Sequence, residues 1–320
     1  MRFFDETATR AALPFDLLIE RLRDMFRTGC NVPPRHVHQV RTTMANGTIL
    51  IMPAWTDRYL GIKTVNIYPR NGSKGLPGLF SVYTLFDAAT GEPLAQMDGD
   101  VITSRRTAAA SALAADYLSR KNARKLLVLG AGRVASLLPL AYREVIDLQS
   151  VDVWARNADA GQALADQLVA QGIPAASTRN LSEAAAQADI VSCATLALEP
   201  VLRGVWLNSG VHIDLIGSFT PEMREADDDV LRGASLFVDT DEALQKSGDL
   251  LGPMAREVFG RESVCGDLAA LCTGSVSGRR SATERTVFKS VGTALEDLAA
   301  AIAVYEAGSR GSEFGSRTPQ

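Results

Sequence analysis

Apolar residues recur at helical spacing through Phe15–Phe26 (FDLLIERLRDMF), which predicts a helix with one apolar face. Strand-like runs follow at His36–Val40, Thr48–Met52, Gly61–Tyr68 and Leu79–Phe86, divided by Asn-Gly, Pro-Ala and glycine-rich turns. Asp98–Thr103 then leads into residues 107–119, TAAASALAADYLS, whose alanine density gives strong helix propensity. This first third reads as α+β.

From Ala123 the texture changes to strand–helix alternation. Lys125–Leu129 is a short buried-type strand, Arg133–Val145 a helix and Val151–Ala155 a strand. Ala158–Ala170 is helical, Ile173–Ser177 extended, Leu181–Gln187 helical and Asp189–Ala194 extended. His212–Ile216 and Leu236–Asp239 are further strands, with an acidic helical stretch between them. Such alternation predicts parallel βαβ units and a doubly wound sheet. A strand-like TVFKS precedes a last amphipathic helix, Val291–Ala307, which can return the chain to its first domain. The expected fold is therefore α/β, a doubly wound parallel sheet inserted in a discontinuous α+β domain. Residues 1–106 plus 290–308 form the outer domain and 107–289 the inserted one. The Gly/Ser-rich stretch 309–320, GSRGSEFGSRTPQ without its first residue, is expected to be a disordered tail.

Composition narrows the function classes. At roughly 150 residues per domain, 320 residues suit two domains. The formal charge of −4, with no basic block, gives no electrostatic reason to expect nucleic acid or an anionic membrane surface. Arg, Asp and Glu interrupt every apolar stretch before the ~18 residues of a spanning helix. The opening MRFFDETATR lacks a secretory apolar segment, so a cytoplasmic protein is expected. Cys30, Cys193, Cys265 and Cys272 form no C-x-x-C pair, and His36 and His38 have no nearby third ligand, so no metal is expected. Asp227, Asp228 and Asp229 read as acids at a helix N-terminus.

The most informative local motif is Gly130, Ala131, Gly132, Arg133, Val134 and Ala135, directly after the strand KLLVL and ahead of a predicted helix. The first glycine permits the tight turn, the second lets backbone approach a pyrophosphate, and Ala135 keeps helix and strand close. Free N–H groups and the positive end of the helix then face the anion. At the tip of the next strand, VDVWARN, stand Arg156 and Asn157 where sheets that bind NAD place an acid. A guanidinium there suits a 2′-phosphate, the alternative being a solvated loop arginine. The expected cofactor is NADPH in preference to NADH.

Three cations have unusual settings. Arg41 ends HVHQV, Lys63 lies within GIKTVNIY and Arg106 precedes the alanine-rich helix. A cation inside an apolar strand is either paired within the protein or binds an anion. The blocks MPAW…GIKTVNIYPRN, TGEPLAQMDGDVITSRRTAAASALAADYLSR, LLVLGAGRVA and TVFKSVGTALEDLAAA together resemble the ornithine cyclodeaminase/mu-crystallin family. The likeness runs from about Phe15 to Ala307 with the blocks in family order. It implies a homodimer, with a Rossmann domain inserted in a discontinuous substrate and dimerisation domain. It also implies that Arg41, Lys63 and Arg106 hold the substrate carboxylate and orient its C2 carbon. Thr195, Gly217 and Ser218 are implied to line the nicotinamide end, with Lys289 and Ser290 close by.

One departure bears on the activity. The cyclodeaminases carry an Asp in the loop that here reads Gly217-Ser218-Phe219-Thr220-Pro221-Glu222-Met223. Aligned on the proline, Phe219 replaces that Asp and Met223 replaces a Lys, and an apolar ring cannot shuttle protons or bind an ammonium. Glu222 could supply a displaced carboxylate in its place, although productive geometry tolerates little misplacement. The form GSFTPEMREAD looks instead like the branch that reduces Δ1-pyrroline-2-carboxylate, with Phe219 as an apolar wall against a compact ring. The expectation is NAD(P)H-dependent reduction of that cyclic imino acid to L-proline, the six-membered Δ1-piperideine-2-carboxylate (giving L-pipecolate) being a second candidate. Ornithine cyclodeaminase, alanine dehydrogenase and a non-catalytic mu-crystallin-like binding protein are the alternatives within the family.

Overall fold

The computed structural model describes residues 1–314, without the side chains of 310–314. Its strands are β1 (Arg2–Phe4), β2 (His36–Arg41), β3 (Asn46–Trp55), β4 (Tyr59–Ile67), β5 (Leu79–Asp87), β6 (Pro93–Asp98), β7 (Lys125–Leu129), β8 (Ser150–Trp154), β9 (Ala175–Ser177), β10 (Ile190–Cys193), β11 (His212–Leu215), β12 (Ser235–Val238), β13 (Val264–Asp267) and β14 (Thr286–Lys289). The helices are α1 (Glu6–Ala11), α2 (Phe15–Thr28), α3 (Gly99–Leu118), α4 (Leu138–Tyr142), α5 (Ala158–Ala170), α6 (Leu181–Gln187), α7 (Asp228–Leu231), α8 (Ala243–Lys246), α9 (Gly248–Ala255), α10 (Leu268–Thr273) and α11 (Ala294–Phe314). The chain forms two compact units, one from Met1–Arg106 with the chain from Thr293 onward, the other from Thr107–Gly292. No described helix is long and apolar enough to cross a membrane.

The first unit is built on a six-stranded sheet in the order β1-β6-β5-β4-β3-β2. β2 to β6 pair antiparallel as a meander, and β1 adds parallel to β6. Alternation along β4 (YLGIKTVNI) buries Tyr59, Gly61, Lys63 and Val65 on one face. Helices α2 and α11 pack together, and α11 lies over β3, β4 and β5. Their apolar stripes, Leu18, Ile19, Leu22 and Phe26 on α2 and Leu298, Ala301 and Val304 on α11, close the core. Arg105 caps this packing, its guanidinium 4.0 Å from the Phe15 ring centre and its Nε donating to the Leu13 carbonyl.

The second unit holds an all-parallel eight-stranded sheet in the order β13-β12-β14-β11-β10-β7-β8-β9. β10, β11, β12 and β14 are buried along their whole length and β7 after its first residue, as strands covered by helices on each side are; β7 and β12 are mostly apolar, while β11 and β14 also bury His212, Asp214, Thr286 and Lys289. The strand order reverses at β7, which lies between β8 and β10. Open α/β sheets bind ligands at that switch, beyond the carboxyl ends of the strands.

Three expectations change. Arg133–Val145 is not one helix: regular α-helix covers only Leu138–Tyr142, because Pro139 has no N–H to donate and the flanking residues close in tighter turns such as Leu137 N–H to Val134 O. A five-residue helix has little dipole to offer an anion, so the glycine loop must rely on its own backbone N–H groups. The tail expected over 309–320 begins as helix, since α11 runs to Phe314; residues 315–320 lie outside the described residues. The strand β1, the helix α1 capped by Asp5, and β13 were not anticipated.

Candidate active site

The site residues fall into two groups, one in each unit. In the first, Lys63 is 2% exposed, on the face of the sheet covered by α11. A buried ammonium must be paired. Its Nζ lies 2.6 Å from Asp297 Oδ2 and donates to Thr103 Oγ1 at 3.2 Å. Arg106, in the second turn of α3, donates from Nε to Asp297 Oδ1 at 3.0 Å and from Nη1 to Glu296 Oε2 at 2.5 Å. Both acids are fully buried in the first turn of α11, where negative charge also complements the helix dipole. Two cations and two anions thus form a formally neutral buried quartet.

Its electrostatics follow from burial and pairing. Burial brings the Lys63 ammonium down to about 8, with Asp297 pulling it back up. Burial alone would raise Asp297, but Lys63 and Arg106 outweigh it and hold the carboxyl below its ordinary value. For Arg106 burial disfavours the charge, and Asp297 and Glu296 more than restore it.

Arg41 is not brought to this group. It is exposed at the far end of the edge strand β2, opposite Asn46, whereas Lys63 is opposite Met52. Six residues along a strand amount to roughly 20 Å. The sequence pattern offered an arginine closing an apolar run, yet β2 is an edge strand with little buried surface. The pairing His36↔Ile51 puts the Arg35 end of β2, not the Arg41 end, beside the row of Met52, Lys63, Tyr83 and Met97; Arg35 itself precedes β2, and the next bridge, Asn31↔Trp55, is shifted by one residue from that register. Glu296, Asp297 and Arg35 were all missed. Two adjacent acids inside the apolar helix ALEDLAAAIAVY were the available signal for the first two.

In the second unit the expected cofactor residues follow the carboxyl ends of neighbouring strands: Gly130 to Ala135 after β7, Arg156 and Asn157 after β8, Thr195 after β10, Gly217 and Ser218 after β11, and Lys289 and Ser290 at the end of β14. Gly130 has φ +118°, and a Cβ there would come within 2.5 Å of the Ala194 carbonyl oxygen. A Cβ at Gly132 would meet nothing within 4 Å. The first glycine is therefore demanded by the turn, while the second opens onto space that a pyrophosphate fits. Arg133 is exposed and Ala135 buried. Arg156 is exposed at the strand tip, while Asn157 spends its Oδ1 capping α5, accepting from Asp159 and Ala160 N–H.

Thr195 and Gly217 are tied together by a residue the sequence pattern did not reveal. Glu225, fully buried, accepts from Thr195 N–H at 2.6 Å, Thr195 Oγ1 at 2.8 Å and Gly217 N–H at 2.6 Å. A Cβ at Gly217 would come within 1.9 Å of the Thr195 carbonyl oxygen, so this close approach requires glycine. Asp249 in turn accepts from the Glu225 and Ala226 N–H groups, and its Oδ2 lies 3.6 Å from Lys289 Nζ. Burial raises the Glu225 carboxyl, against the pull of Lys289. Glu225 sits in MREAD, two residues before the acids expected to decorate a helix N-terminus, of which Asp227 caps α7. The other expected contacts are less open. Lys289 and Ser218 are fully buried, and the Ser218 hydroxyl is spent on the Met223 carbonyl, Ser247 and the Asp249 N–H. Phe219 is half-exposed at 49%.

These features match known proteins. The family model for the ornithine cyclodeaminase/mu-crystallin family matches residues 6–312. A Δ1-pyrroline-2-carboxylate reductase from Colwellia psychrerythraea is 36% identical over 312 residues, covering 96% of this chain and 99% of its own. The solved Δ1-pyrroline-2-carboxylate reductase of Thermococcus litoralis, in complex with NADH and L-proline, superposes with a TM-score of 0.91 at 33% identity, covering 98% of each chain. An archaeal alanine dehydrogenase dimer with bound NAD gives 0.90 at 30% identity, covering 98% of this chain and 97% of its own. The chain belongs to the ornithine cyclodeaminase/mu-crystallin family. Within it, the chain is a reductase built on a nicotinamide-binding fold.

Proposed function

We propose that this chain reduces Δ1-pyrroline-2-carboxylate to L-proline, with NADPH favoured over NADH, and that it acts as a homodimer. The observation that carries the reading is the buried quartet of Lys63, Arg106, Glu296 and Asp297. Cations already matched by acids have little net attraction for a lone carboxylate. They suit a zwitterion, a ring iminium next to its own carboxylate, because Asp297 and Glu296 offset the iminium while the cations meet the carboxylate. Arg106, with Nε and Nη1 engaged, would offer Nη2, and Arg35, just before the end of β2 that lies beside the Lys63 row, would complete the clamp.

A bound reduced nicotinamide supplies hydride to C2. The new C2–H bond forms as the π pair of the C=N bond moves to nitrogen. That lone pair then takes a proton from the Lys63 ammonium, whose value of about 8 suits transfer near neutral pH. Gly130 and Gly132 would hold the pyrophosphate, the Thr195 and Gly217 loops the nicotinamide, and the exposed Arg156 a 2′-phosphate. Phe219, in the position where a cyclodeaminase carries Asp, would wall the ring and itself offers no carboxylate to a side-chain ammonium. The archaeal alanine dehydrogenase solved as a dimer supports the oligomeric part of the reading.

The test is a panel on the purified protein: five- and six-membered cyclic imines with both nicotinamides, pyruvate with ammonia, and ornithine. Imine reduction at the highest kcat/KM is expected. Ammonia release from ornithine, or amination of pyruvate as the leading activity, would overturn the proposal.

A further inference from the structure

The phenol of Tyr83 has no assigned role, and its setting is unusual. Tyr83 lies directly opposite Lys63 in the β4–β5 pairing, so both side chains project to the same face. The side chain is 1% exposed, and among the described residues its hydroxyl has no hydrogen-bond partner. Gly61, two residues from Lys63 on that face, makes room for it: a Cβ there would come within 1.9 Å of Tyr83 Oη. The sheet thus gives up a side chain next to Lys63 to seat a hydroxyl that nothing among the described residues engages. Buried hydroxyls are normally paired, and one that is not calls for a ligand or a bound water.

We propose that Tyr83 Oη is the acceptor for the ring N–H of the substrate, and so selects a cyclic imino acid over a ring or chain without that donor. The inference rests on the functional reading above. Asp297 and Cys30 are the ionisable groups that act on the phenol, and burial followed by these two raises it well above its ordinary value. It therefore stays a neutral phenol, able to accept from a protonated ring nitrogen with one lone pair while its own proton remains in place. An α-keto acid presents a carbonyl oxygen instead and has no N–H to offer.

The experiment compares the wild type with Tyr83→Phe, which removes only the hydroxyl, and Gly61→Ala, which displaces it. Each protein, loaded with nicotinamide, is titrated with L-proline and with cyclopentanecarboxylate, a ring of the same size without the nitrogen. Kinetics with Δ1-pyrroline-2-carboxylate and thermal melting complete the set. For Tyr83→Phe the expected result is an unchanged or higher Tm, at least tenfold weaker L-proline binding, unchanged cyclopentanecarboxylate binding and at least a tenfold lower kcat/KM. Gly61→Ala should weaken L-proline preferentially as well. Equal weakening of both ligands, unchanged L-proline binding in Tyr83→Phe, or a wild type that does not distinguish the two ligands would each overturn the assignment. A wild type that separates the two ligands yet reduces no cyclic imine would overturn the functional reading and leave the Tyr83 assignment standing, because the ligand comparison does not require turnover.

Discussion

Lys63 shows how one side chain can make stability and activity move in opposite directions with pH. Burial lowers its ammonium from 10.5 to about 8 while Asp297 and Thr103 hold it in place. Between those two values the unfolded chain keeps a proton that the folded chain has lost, so this residue's contribution to stability rises with pH across the window. Its size is on the order of 3 kcal/mol. If the ammonium delivers the proton to the nascent amine, kcat/KM falls over the same range as pH passes about 8. Lys63→Met is expected to remove both trends and to lower kcat/KM at least 100-fold, as expected of a lost general acid. A basic limb that persists in the variant would assign the titration to another group.

Strand register decides which arginine joins Lys63, and turn placement decides which loops face a cofactor. The pairings His36↔Ile51 and Met52↔Lys63 set the Arg35 end of β2 beside the Lys63 row and leave Arg41 at the other end of the edge strand. Arg35→Met should therefore raise KM for the imine at least tenfold, and Arg41→Met should stay within twofold of wild type; the reverse ranking would refute the register argument. The sequence showed an arginine at the end of a strand-like run, but register is a tertiary property set by the hairpin between β2 and β3. The glycine loop, by contrast, was legible because its chemistry is local: strand, turn and φ at Gly130 all come from adjacent residues. Glu225 was not legible, since its ligands Thr195 and Gly217 are 30 and 8 residues away and only the parallel pairing of β10 with β11 brings them together. Its carboxylate has two oxygens for two backbone donors, while an amide has one oxygen and an NH2 that cannot accept. Glu225→Gln should therefore cost about 1–3 kcal/mol of stability. It should also weaken nicotinamide binding about tenfold in a fluorescence titration; unaltered binding would mean that these loops do not hold the ring.

At the scale of the whole chain, the βα alternation announced the parallel sheet because each element buries its apolar face locally, whereas the partners of buried polar groups, brought in from distant strands, gave no such notice. His212 is the clearest case among the buried polar groups. It opens β11, fully buried, with Nδ1 3.0 Å from Thr286 Oγ1. The Thr286 hydroxyl donates its only proton to the Leu118 carbonyl, so it can only accept from His212, which fixes the Nδ1–H tautomer. The buried Nε2 then has no partner among the described residues, and a proton added there would meet no acceptor. Burial, reinforced by the Arg279 guanidinium, lowers the imidazole to about 3. Between pH 6.5 and 3 the unfolded chain binds a proton that the folded chain refuses, so stability from this residue is full above 6.5 and is lost as pH falls. Asp214, raised to about 6 chiefly by burial, works the other way, gaining stability as pH falls through 6, so the wild-type curve alone hides the histidine. The difference in unfolding free energy between wild type and His212→Gln isolates it. That difference should shift in the variant's favour by roughly 1.4 kcal/mol per pH unit between 6 and 4. Parallel curves from chemical denaturation at each pH would show that the imidazole is protonated in the folded state after all.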